Sequence, residues 1–383
     1  MVLSRDADYA DYLYTCNRCR SCATKHDQDN IIVCPSFAHL GYFSYCGGGR
    51  GYTAQGILEG KVKASEEVVK LAMHCLLCHA CQTNCPPGFE LTSVIRDLRE
   101  WLVSQGIYSS KPHRRMLDHL RNSGNPWGMD PSKRLSAKKL GLKARASNAE
   151  ALLFLGCHFG FGKSSLESEM KIIAAAHAKV LVMADEPCCG SPALELGDQP
   201  LFCKMAEKNI QRLNSLGVEK VITLCPHCTS ALSNDYLEIG ELEPEIVHFS
   251  EWLLELIDEG RLELKGQAGE MLVTFQDSCH LTRYLEQGDV ARNLLSKIKG
   301  INLVEMERSR DAAFCCGGGS WANELMPELW RFTVRERLKE AVGTKASALI
   351  TTCPYCENSF RKARPKRIEV ISLAQLVRSQ LAD

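Results

Sequence analysis

Two stretches of the chain share one pattern and decide its fold: Ala-Leu-Leu-Phe-Leu-Gly-Cys-His at residues 151–158 and Met-Leu-Val-Thr-Phe-Gln-Asp-Ser-Cys-His at residues 271–280. Each is a short apolar run of strand length that ends in a Cys-His pair. Each is followed by a Cys-Cys-Gly triplet and then by Cys-Pro-X-Cys after another apolar run. The residues between successive cysteine positions number 30, 35 and 2 in the first stretch and 35, 36 and 2 in the second. These matched landmarks indicate an internal repeat.

Within each copy, short apolar runs alternate with segments of helical periodicity. In the first copy, residues 180–184 precede a helix predicted at about 200–216; in the second, residues 301–306 precede one at about 328–342. Alternating strands and helices predict a parallel sheet with helices on its faces. Ligands gather at the carboxyl ends of the strands in such a sheet. Four cysteines follow predicted strands and are expected there: Cys157, Cys225, Cys279 and Cys353.

The first 90 residues contain a different cysteine pattern. The spacing Cys-x2-Cys-x2-Cys-x3-Cys-Pro at residues 75–86 is typical of bacterial ferredoxins, in which the fourth cysteine binds the other cluster when two are present. A second Cys-x2-Cys-x2-Cys run starts at Cys16, and its fourth cysteine is the more distant Cys34. Structural zinc sites more often use two pairs of ligands. We therefore predict two cubane [4Fe–4S] clusters with crossed ligands, one held by Cys16, Cys19, Cys22 and Cys85 and the other by Cys75, Cys78, Cys81 and Cys34.

Composition and charge exclude several classes of protein. The 383 residues contain 46 Lys and Arg against 46 Asp and Glu, so overall charge gives no general attraction to nucleic acid. No apolar run approaches the ~20 residues needed to span a bilayer, and the N-terminal residues do not resemble a secretory signal. We expect a cytoplasmic chain, with any membrane association made through a partner. Clustered cysteines in that compartment indicate metal binding or redox chemistry.

The cysteine pattern divides the chain into four parts. Residues 131–149 carry six Lys and Arg side chains and no acid, and we interpret them as part of a solvated linker, with docking of an acidic partner as the alternative. Helices at about 64–74 and 92–104 are expected to flank the first cysteine loops. The fold is therefore predicted to be α+β overall, an all-α ferredoxin-like domain followed by two α/β domains with parallel sheets. The predicted boundaries are 1–110 for the two-cluster domain, 111–149 for the linker, 150–262 for the first repeat and 263–383 for the second.

The chemistry of the repeated pattern is not determined by spacing alone. A Cys-x2-Cys pair joined to a distant Cys-Cys pair could hold zinc, an iron–sulfur cluster or a redox disulfide. Adjacent thiolates rarely converge on one tetrahedral metal, but they suit a centre of several irons bridged by thiolate. The pattern resembles the cysteine-rich "CCG" domain of heterodisulfide reductases. With the ferredoxin-like part, residues 10–383 resemble the fused D subunit of that family, which joins the B and C subunits of other members.

This resemblance implies a noncubane [4Fe–4S] cluster in each copy, held by five cysteines. It also implies a disulfide placed between the two noncubane clusters, each sulfur binding an iron as the bond opens. Electrons would arrive singly through the cubanes, and cleavage needs two. Neither copy lacks a motif cysteine, which favours a reductase over a simple relay. The implied ligand sets are Cys157, Cys188, Cys189, Cys225 and Cys228 for one cluster, and Cys279, Cys315, Cys316, Cys353 and Cys356 for the other.

The sequence therefore predicts an oxidoreductase subunit that passes electrons to a disulfide or onward within a larger anaerobic complex. The alternative is a relay subunit without disulfide chemistry, in a flavin-linked glycolate or lactate oxidase or a benzoyl-CoA-reductase-type bifurcating complex. A zinc-binding interaction protein is the third hypothesis. Expected partners are a flavin-binding bifurcating subunit, a membrane cytochrome or an FAD-linked oxidase subunit. No G-x-G-x-x-G motif occurs, so no flavin or nicotinamide is expected on this chain.

Three histidines lie beside motif cysteines: His158, His227 and His280. We expect them to donate hydrogen bonds to a cluster sulfur or a backbone carbonyl, with proton donation to a leaving thiolate as the alternative.

Two glycine-rich segments are also close to cysteines. Residues 47–51 are predicted to form a tight loop near the clusters, and residues 317–319 are expected to let backbone amides approach cluster sulfur. The two remaining cysteines, Cys46 and Cys203, are expected to be small buried apolar residues.

Overall fold

The N-terminal part consists mainly of short helices around its eight motif cysteines. The computed structural model describes residues 13–25, 30–142, 149–183, 185–266 and 269–381. Strands β1 (Thr24–Lys25) and β2 (Ile31–Ile32) pair antiparallel, so this part is not purely α-helical, contrary to the prediction. Three of the four paired residues, Thr24, Ile31 and Ile32, are β-branched and favour extended backbone. The helices are α1 (Pro35–Leu40), α2 (Gly47–Leu58), α3 (Glu66–Met73), α4 (Ala80–Thr83) and α5 (Leu91–Ser104).

The first glycine-rich segment is helical, contrary to the predicted tight loop. It forms the first turn of α2. A Cβ atom added at Gly47 would lie 2.8 Å from the Cβ of Cys81, and one added at Gly49 would overlap the carbonyl oxygen of Phe43. The glycines are therefore needed for close packing of the helix against the cysteine loops, rather than for a turn.

The predicted linker is largely folded. Helix α6 (Lys111–Ser123) is capped by Ser110, whose hydroxyl accepts a hydrogen bond from the backbone N–H of His113, and it buries His113 and Leu117. Among the described basic residues after it, Arg134 is buried and forms an ion pair with Glu186. Two of the six predicted basic positions, Lys143 and Arg145, lie outside the described residues. Residues 111–142 are therefore folded, with apolar side chains packed into buried clusters of the first repeat, while Lys133, Lys138 and Lys139 of the basic run are exposed.

The first repeat contains a four-stranded parallel sheet in the order β4-β3-β5-β6. Every residue of β3 is buried, as is typical of a parallel sheet covered on both faces. The strands are β3 (Ala151–Phe154), β4 (Val180–Leu181), β5 (Lys220–Thr223) and β6 (Glu245–His248). The helices are α7 (Gly156–Gly160), α8 (Glu167–Ala175), α9 (Ser191–Glu195), α10 (Gln199–Asn214), α11 (Pro226–Ser233) and α12 (Phe249–Asp258).

The second repeat has a parallel sheet of matching topology, in the order β8-β7-β9-β10. The predicted repeat of two α/β units with parallel sheets is confirmed. The strands are β7 (Met271–Gln276), β8 (Ile301–Leu303), β9 (Ala348–Thr351) and β10 (Glu369–Ser372). The helices are α13 (Val290–Ser296), α14 (Ala322–Leu325), α15 (Pro327–Gly343), α16 (Pro354–Lys362) and α17 (Leu373–Ser379), and His280–Tyr284 form one π-helical turn.

The two repeats share one apolar core. A single cluster of buried side chains contains Leu153 and Ile222 of the first sheet and Val273 and Ile350 of the second. Other buried clusters join the N-terminal part to each repeat. Within the described ranges, no helix is both long and apolar enough to cross a membrane.

A buried ion pair fixes the backbone just before the first motif cysteine. The Glu186 carboxylate pairs with Arg134 and accepts hydrogen bonds from the N–H groups of Leu155 and Gly156, both at 2.8 Å. Burial raises the pKa of Glu186 to about 7, against the opposing effects of Arg134 and the two N–H groups.

We predict that Glu186→Ala lowers the free energy of unfolding by about 3 kcal/mol at pH 8, because it leaves the Arg134 charge buried without a partner. Urea unfolding of the metal-loaded chain measures the change. Glu328→Ala, which breaks the exposed pair with Arg331, is the control and should change it by less than about 0.5 kcal/mol. Equal stability of the two variants would contradict this role of Glu186.

Candidate metal centres

The repeated motifs place their cysteines at the carboxyl ends of the central strands, as predicted. Cys225 follows β5 and precedes α11, and Cys353 follows β9 and precedes α16. Proline at the first position of each helix is pre-organised for helix initiation and sacrifices no hydrogen bond. The second cysteine of each Cys-Pro-X-Cys therefore lies in the first helical turn beside the first. The glycines of the Cys-Cys-Gly triplets, Gly190 and Gly317, both have left-handed φ angles, of 83° and 79°.

The five thiols of the first repeat form a connected, buried set. Hydrogen bonding to Cys188 and burial raise the pKa of Cys157 well above its usual value. Hydrogen bonds from Cys157 and Cys189 lower the pKa of Cys188. The thiols of Cys189 and Cys225 both raise the pKa of Cys228. The fold therefore brings together all five cysteines that the family resemblance implied for this copy.

The second repeat repeats this arrangement. Hydrogen bonds with Cys279, Cys316 and Cys78 raise the pKa of Cys315 well above its usual value. The thiols of Cys316 and then Cys353 raise the pKa of Cys356 in the same way. All five predicted residues of this copy are again together and buried, namely Cys279, Cys315, Cys316, Cys353 and Cys356.

The two distant cysteines of the N-terminal part, Cys34 and Cys85, each have thiols of the other run as neighbours. Burial raises the pKa of Cys85, and the neighbouring thiols of the first run, Cys16, Cys19 and Cys22, raise it as well. Burial raises the pKa of Cys34 to about 12, and two thiols of the second run, Cys78 and Cys75, act in the same direction. Cys81 lies with the second run: burial and then Cys75, Cys34 and Cys78 raise its pKa. Each distant fourth cysteine is therefore beside the other run.

The three regions of cysteines adjoin one another. The pKa of Cys78 is lowered to about 6, and a hydrogen bond with Cys315 makes the largest contribution to this shift. The Arg283 guanidinium donates to the Cys78 carbonyl at 2.8 Å, which fastens this loop to the second repeat. The two repeats meet at Cys225 and Cys353, whose thiols interact directly and share His227 as a neighbour. The sulfur atoms thus link the N-terminal part, the second repeat and the first repeat.

Backbone N–H groups point at thiols, as iron–sulfur sites require. Gly48 donates to Cys22 Sγ at 3.3 Å, Leu77 to Cys75 Sγ at 3.4 Å and Gly318 to Cys316 Sγ at 3.3 Å. Buried thiols that share protons this closely would repel each other as thiolates, and metal ions remove that repulsion by replacing the protons. The donor set and its N–H groups therefore fit iron–sulfur clusters.

A buried carboxylate lies where the two repeats meet, at a position that no sequence motif indicates. Glu195 Oε1 is 3.5 Å from His227 Nε2 and 3.9 Å from His280 Nε2, and all three side chains are buried. The ligand atoms lie within 4.8 Å of one another, close enough to share an ion or a proton. Ser320 N–H donates to the other carboxylate oxygen. Only the fold brings Glu195 to this point, because it lies on a short helix with otherwise small and apolar residues.

The three predicted histidines have different surroundings. His227 Nδ1 lies 4.0 Å from Cys225 Sγ. Burial would lower the pKa of His227, but hydrogen bonds with Cys225 and Cys353 raise it well above its usual value. Burial lowers the pKa of His280 well below its usual value. Burial also lowers the pKa of His158 to about 4, and this side chain contacts Asn358 at Nδ1 rather than a motif thiol.

The two cysteines left out of the predicted sets differ. Cys46 is fully buried as expected, and its Sγ lies 3.4 Å from that of Cys22. Cys203, on α10, is only half-buried.

Known proteins share these features. The family model described as "Cysteine-rich domain", CCG, matches residues 151–233 and 273–361. The chain therefore carries two CCG domains. A solved structure of a hypothetical protein from Helicobacter pylori is similar with a TM-score of 0.56 at 12% identity, over 88% of this chain and 68% of that one, a likeness of fold alone.

Curated proteins give a more specific identification. The probable iron–sulfur-binding oxidoreductase FadF of Bacillus subtilis is 32% identical over 78% of this chain and 44% of its own length. The D subunit of the dihydromethanophenazine:CoB–CoM heterodisulfide reductase of Methanosarcina barkeri is 26% identical over 96% of this chain and 94% of its own. The EtfAB:quinone oxidoreductase of Syntrophomonas wolfei is 29% identical over 74% of this chain and 42% of its own length. The chain therefore spans less than half the length of this protein and of FadF. The chain is homologous to the heterodisulfide reductase D subunit and to related iron–sulfur oxidoreductases, as predicted.

We predict that Gly318→Ala destabilises the second five-thiol set. Its Cβ would lie 2.7 Å from the Tyr355 carbonyl oxygen and 3.4 Å from Cys316 Sγ, so the loop that carries the cysteine must move. The variant should bind less iron and melt at a lower temperature than the parent chain. Gly343→Ala is the control, because nothing lies within 4 Å of its added Cβ and alanine is the better helix former. Unchanged iron content in Gly318→Ala would contradict the close approach.

Proposed function

We propose that the chain holds four iron–sulfur clusters and uses them to reduce a disulfide. The observation that carries this proposal is that two complete five-thiol sets meet at His227 of the first repeat, whose ring lies 3.8 Å from that of His280 and 4.4 Å from that of Tyr355 in the second, centroid to centroid. In the proposal, two cubane clusters are held by Cys16, Cys19, Cys22 and Cys85 and by Cys75, Cys78, Cys81 and Cys34. Two noncubane clusters are held by Cys157, Cys188, Cys189, Cys225 and Cys228 and by Cys279, Cys315, Cys316, Cys353 and Cys356.

Iron–sulfur clusters supply one electron at a time, and cleavage of a disulfide to two thiols takes two electrons and two protons. The contact of Cys78 with Cys315 supports a route from the N-terminal part to the second repeat. The contact between Cys225 and Cys353 supports its continuation to the first. A disulfide held where the repeats meet would lie beside His227 and Glu195, two polar groups suited to hold or move its protons.

The proposal also covers the domain boundaries of the chain, its location and its redox partners. The domains are proposed to be 1–110, 150–262 and 263–383, with 111–149 between them. The chain is proposed to be cytoplasmic, because clustered cysteines in that compartment more often bind metal than form structural disulfides. Electrons are proposed to come from a redox partner, namely a flavin-binding bifurcating subunit, a membrane cytochrome or an FAD-linked oxidase subunit.

A relay without disulfide chemistry is the second candidate. The similarity to the EtfAB:quinone oxidoreductase of S. wolfei favours it, because that name describes electron transfer to a quinone. In this candidate the same sulfur-linked route delivers electrons to another protein, and the junction between the repeats holds no substrate.

Disulfide turnover separates the two candidates. The iron-loaded chain, reduced anaerobically by viologen, is expected to release two thiols per two electrons from the CoB–CoM heterodisulfide or another disulfide. Cys225→Ser should lower the rate by more than about 100-fold, since loss of a ligand exceeds the effect of outer-shell changes. Cys203→Ser is the control and should retain the parent rate. Absence of thiol release from every disulfide, with rapid transfer to an electron acceptor, would contradict the reductase and support the relay.

The crossed cubane ligands are tested by paired substitutions. Cys34→Ser should alter the same low-temperature EPR signal of the reduced chain as Cys78→Ser, because each replaces a thiolate of one cluster. Cys85→Ser should alter the signal that Cys19→Ser alters. If Cys34→Ser and Cys19→Ser change the same signal, the ligands are not crossed.

A further inference from the structure

Only one of the twenty cysteines is exposed, and all twenty lie in the described part of the chain. It is Cys19, the middle cysteine of the first run. Its neighbours in the sequence, Arg18 and Arg20, are exposed as well. Because Cys19 is a proposed ligand of a cubane cluster, this loop is where a cluster would come closest to solvent. An electron carrier outside the chain would therefore have its shortest route at this loop.

The second run has the same loop conformation. Leu77 and His79, on either side of its middle cysteine, have left-handed φ angles of 48° and 65°. Arg18 and Arg20 occupy the matching positions of the first run, with φ angles of 57° and 68°. Such angles are uncommon for residues other than glycine, so four of them at matching positions indicate one shared loop geometry. The two loops can therefore be compared residue by residue.

The loop of the second run is covered by another part of the same chain. Leu77 is 2% exposed, and its carbonyl oxygen accepts a hydrogen bond from the Tyr284 hydroxyl at 2.8 Å. The ring of His79 lies 4.2 Å from that of Tyr284, centroid to centroid. Together with the bond from Arg283 to the Cys78 carbonyl, these contacts make this loop a docking face for the second repeat. By contrast, residues 17–20 of the first loop are exposed.

The first loop presents positive charge in a fixed position. Arg18 Nε donates to the Tyr52 hydroxyl at 2.5 Å, and the Cζ atom of Arg18 lies 5.0 Å from the centroid of that ring. Among the described ranges, no carboxylate lies within ion-pair distance of Arg18 or Arg20. Guanidinium groups bind carboxylates through paired, charge-assisted hydrogen bonds. A partner that covers this face should therefore supply surface carboxylates.

We propose, resting on the proposed function, that the loop around Cys19 is the docking face for an acidic protein that carries one electron. Carboxylates of the carrier pair with Arg18 and Arg20 and bring its redox group close to the exposed cluster ligand. One electron then passes from the reduced carrier to the chain, and no bond or proton is transferred. An anionic membrane would meet the same charges, but lipid headgroups carry no electrons. The second loop also favours a protein, because its matching face binds a protein surface.

Stopped-flow reduction of the oxidised, iron-loaded full chain tests the proposal. The donor is a reduced plant-type ferredoxin, an acidic one-electron carrier, and bleaching of the cluster absorbance is the readout. Arg18→Gln combined with Arg20→Gln should lower the second-order rate constant at least about tenfold at low salt, because electrostatic steering raises association rates by about 10- to 1,000-fold. The salt dependence of the rate should weaken as well. Reduced methyl viologen, a small cation, is the control donor and should not react more slowly with the variant.

Matched variants locate the effect. Arg364→Gln combined with Arg367→Gln removes the same charge from an exposed segment of the second repeat and should retain the parent rate. Arg18→Lys combined with Arg20→Lys keeps the charge and should retain most of the rate. Equal ferredoxin rates for the two double glutamine variants would overturn the proposal.

Iron content shows whether each variant is intact. If the Arg18 and Arg20 double glutamine variant binds less iron than the parent, Arg20→Gln alone decides, because the Arg20 side chain makes no hydrogen bond or ion pair within the described residues. That single variant should also lower the ferredoxin rate, and an unchanged rate would contradict the docking face.

A membrane surface is the competing outcome. Binding to phosphatidylserine vesicles that is lost in the Arg18 and Arg20 double glutamine variant, with no change in its ferredoxin rate, would assign the face to a membrane and overturn the proposal.

The outcome is separable from that of the proposed function, because reduction is followed without a disulfide. A ferredoxin rate that depends on Arg18 and Arg20, in a chain that releases no thiol from any disulfide, would support the docking face and contradict the reductase. Disulfide turnover in a chain whose ferredoxin rate is independent of both arginines would support the reductase and contradict the docking face.

Discussion

The structure depends on the burial of ten thiols in two sets that touch each other. Thiols this close share protons, and several of their pKa values are moved in opposite directions by their neighbours. Such a group is stable when metal ions replace the protons and bridge the sulfurs. The parallel sheets serve this purpose, because they bring the ends of β3, β5, β7 and β9 and their cysteines into one region. The turn glycines and the proline at each helix start are the local requirements for that convergence.

The N-terminal part is held against this region by buried arginines. Arg99 donates to the carbonyl oxygens of Cys75 and Glu195 at 2.6 Å each, and so joins a predicted cubane loop to the first repeat. Arg283 makes the corresponding link between the Cys78 carbonyl and the second repeat. Burial lowers the pKa of Arg99 to about 10, yet it remains a cation at neutral pH. These positive charges lie where clusters held by thiolates would be negative, so they both orient the loops and offset charge.

Much of the fold and part of the candidate site can be predicted from the sequence. The repeat and the parallel sheets follow from spacing and periodicity, which one sequence is enough to show, whereas the two five-cysteine sets were implied by the family resemblance. The glycine-rich segment before Tyr52 has the composition of a loop, but close packing with Cys81 sets its helical conformation. The basic run has the composition of a solvated linker, but Arg134 is buried with an acid 52 residues further on. Glu195 could not be recognised, because only the facing of the two repeats brings it beside His227 and His280.

The central claim is that each five-thiol set holds a four-iron centre in addition to the two cubane clusters. Determination of iron, zinc and acid-labile sulfide in the anaerobically purified chain tests it most directly. Four clusters of four irons predict about 16 iron atoms per chain, with equal sulfide and no stoichiometric zinc. A value of about eight iron atoms per chain, with or without zinc, would contradict it.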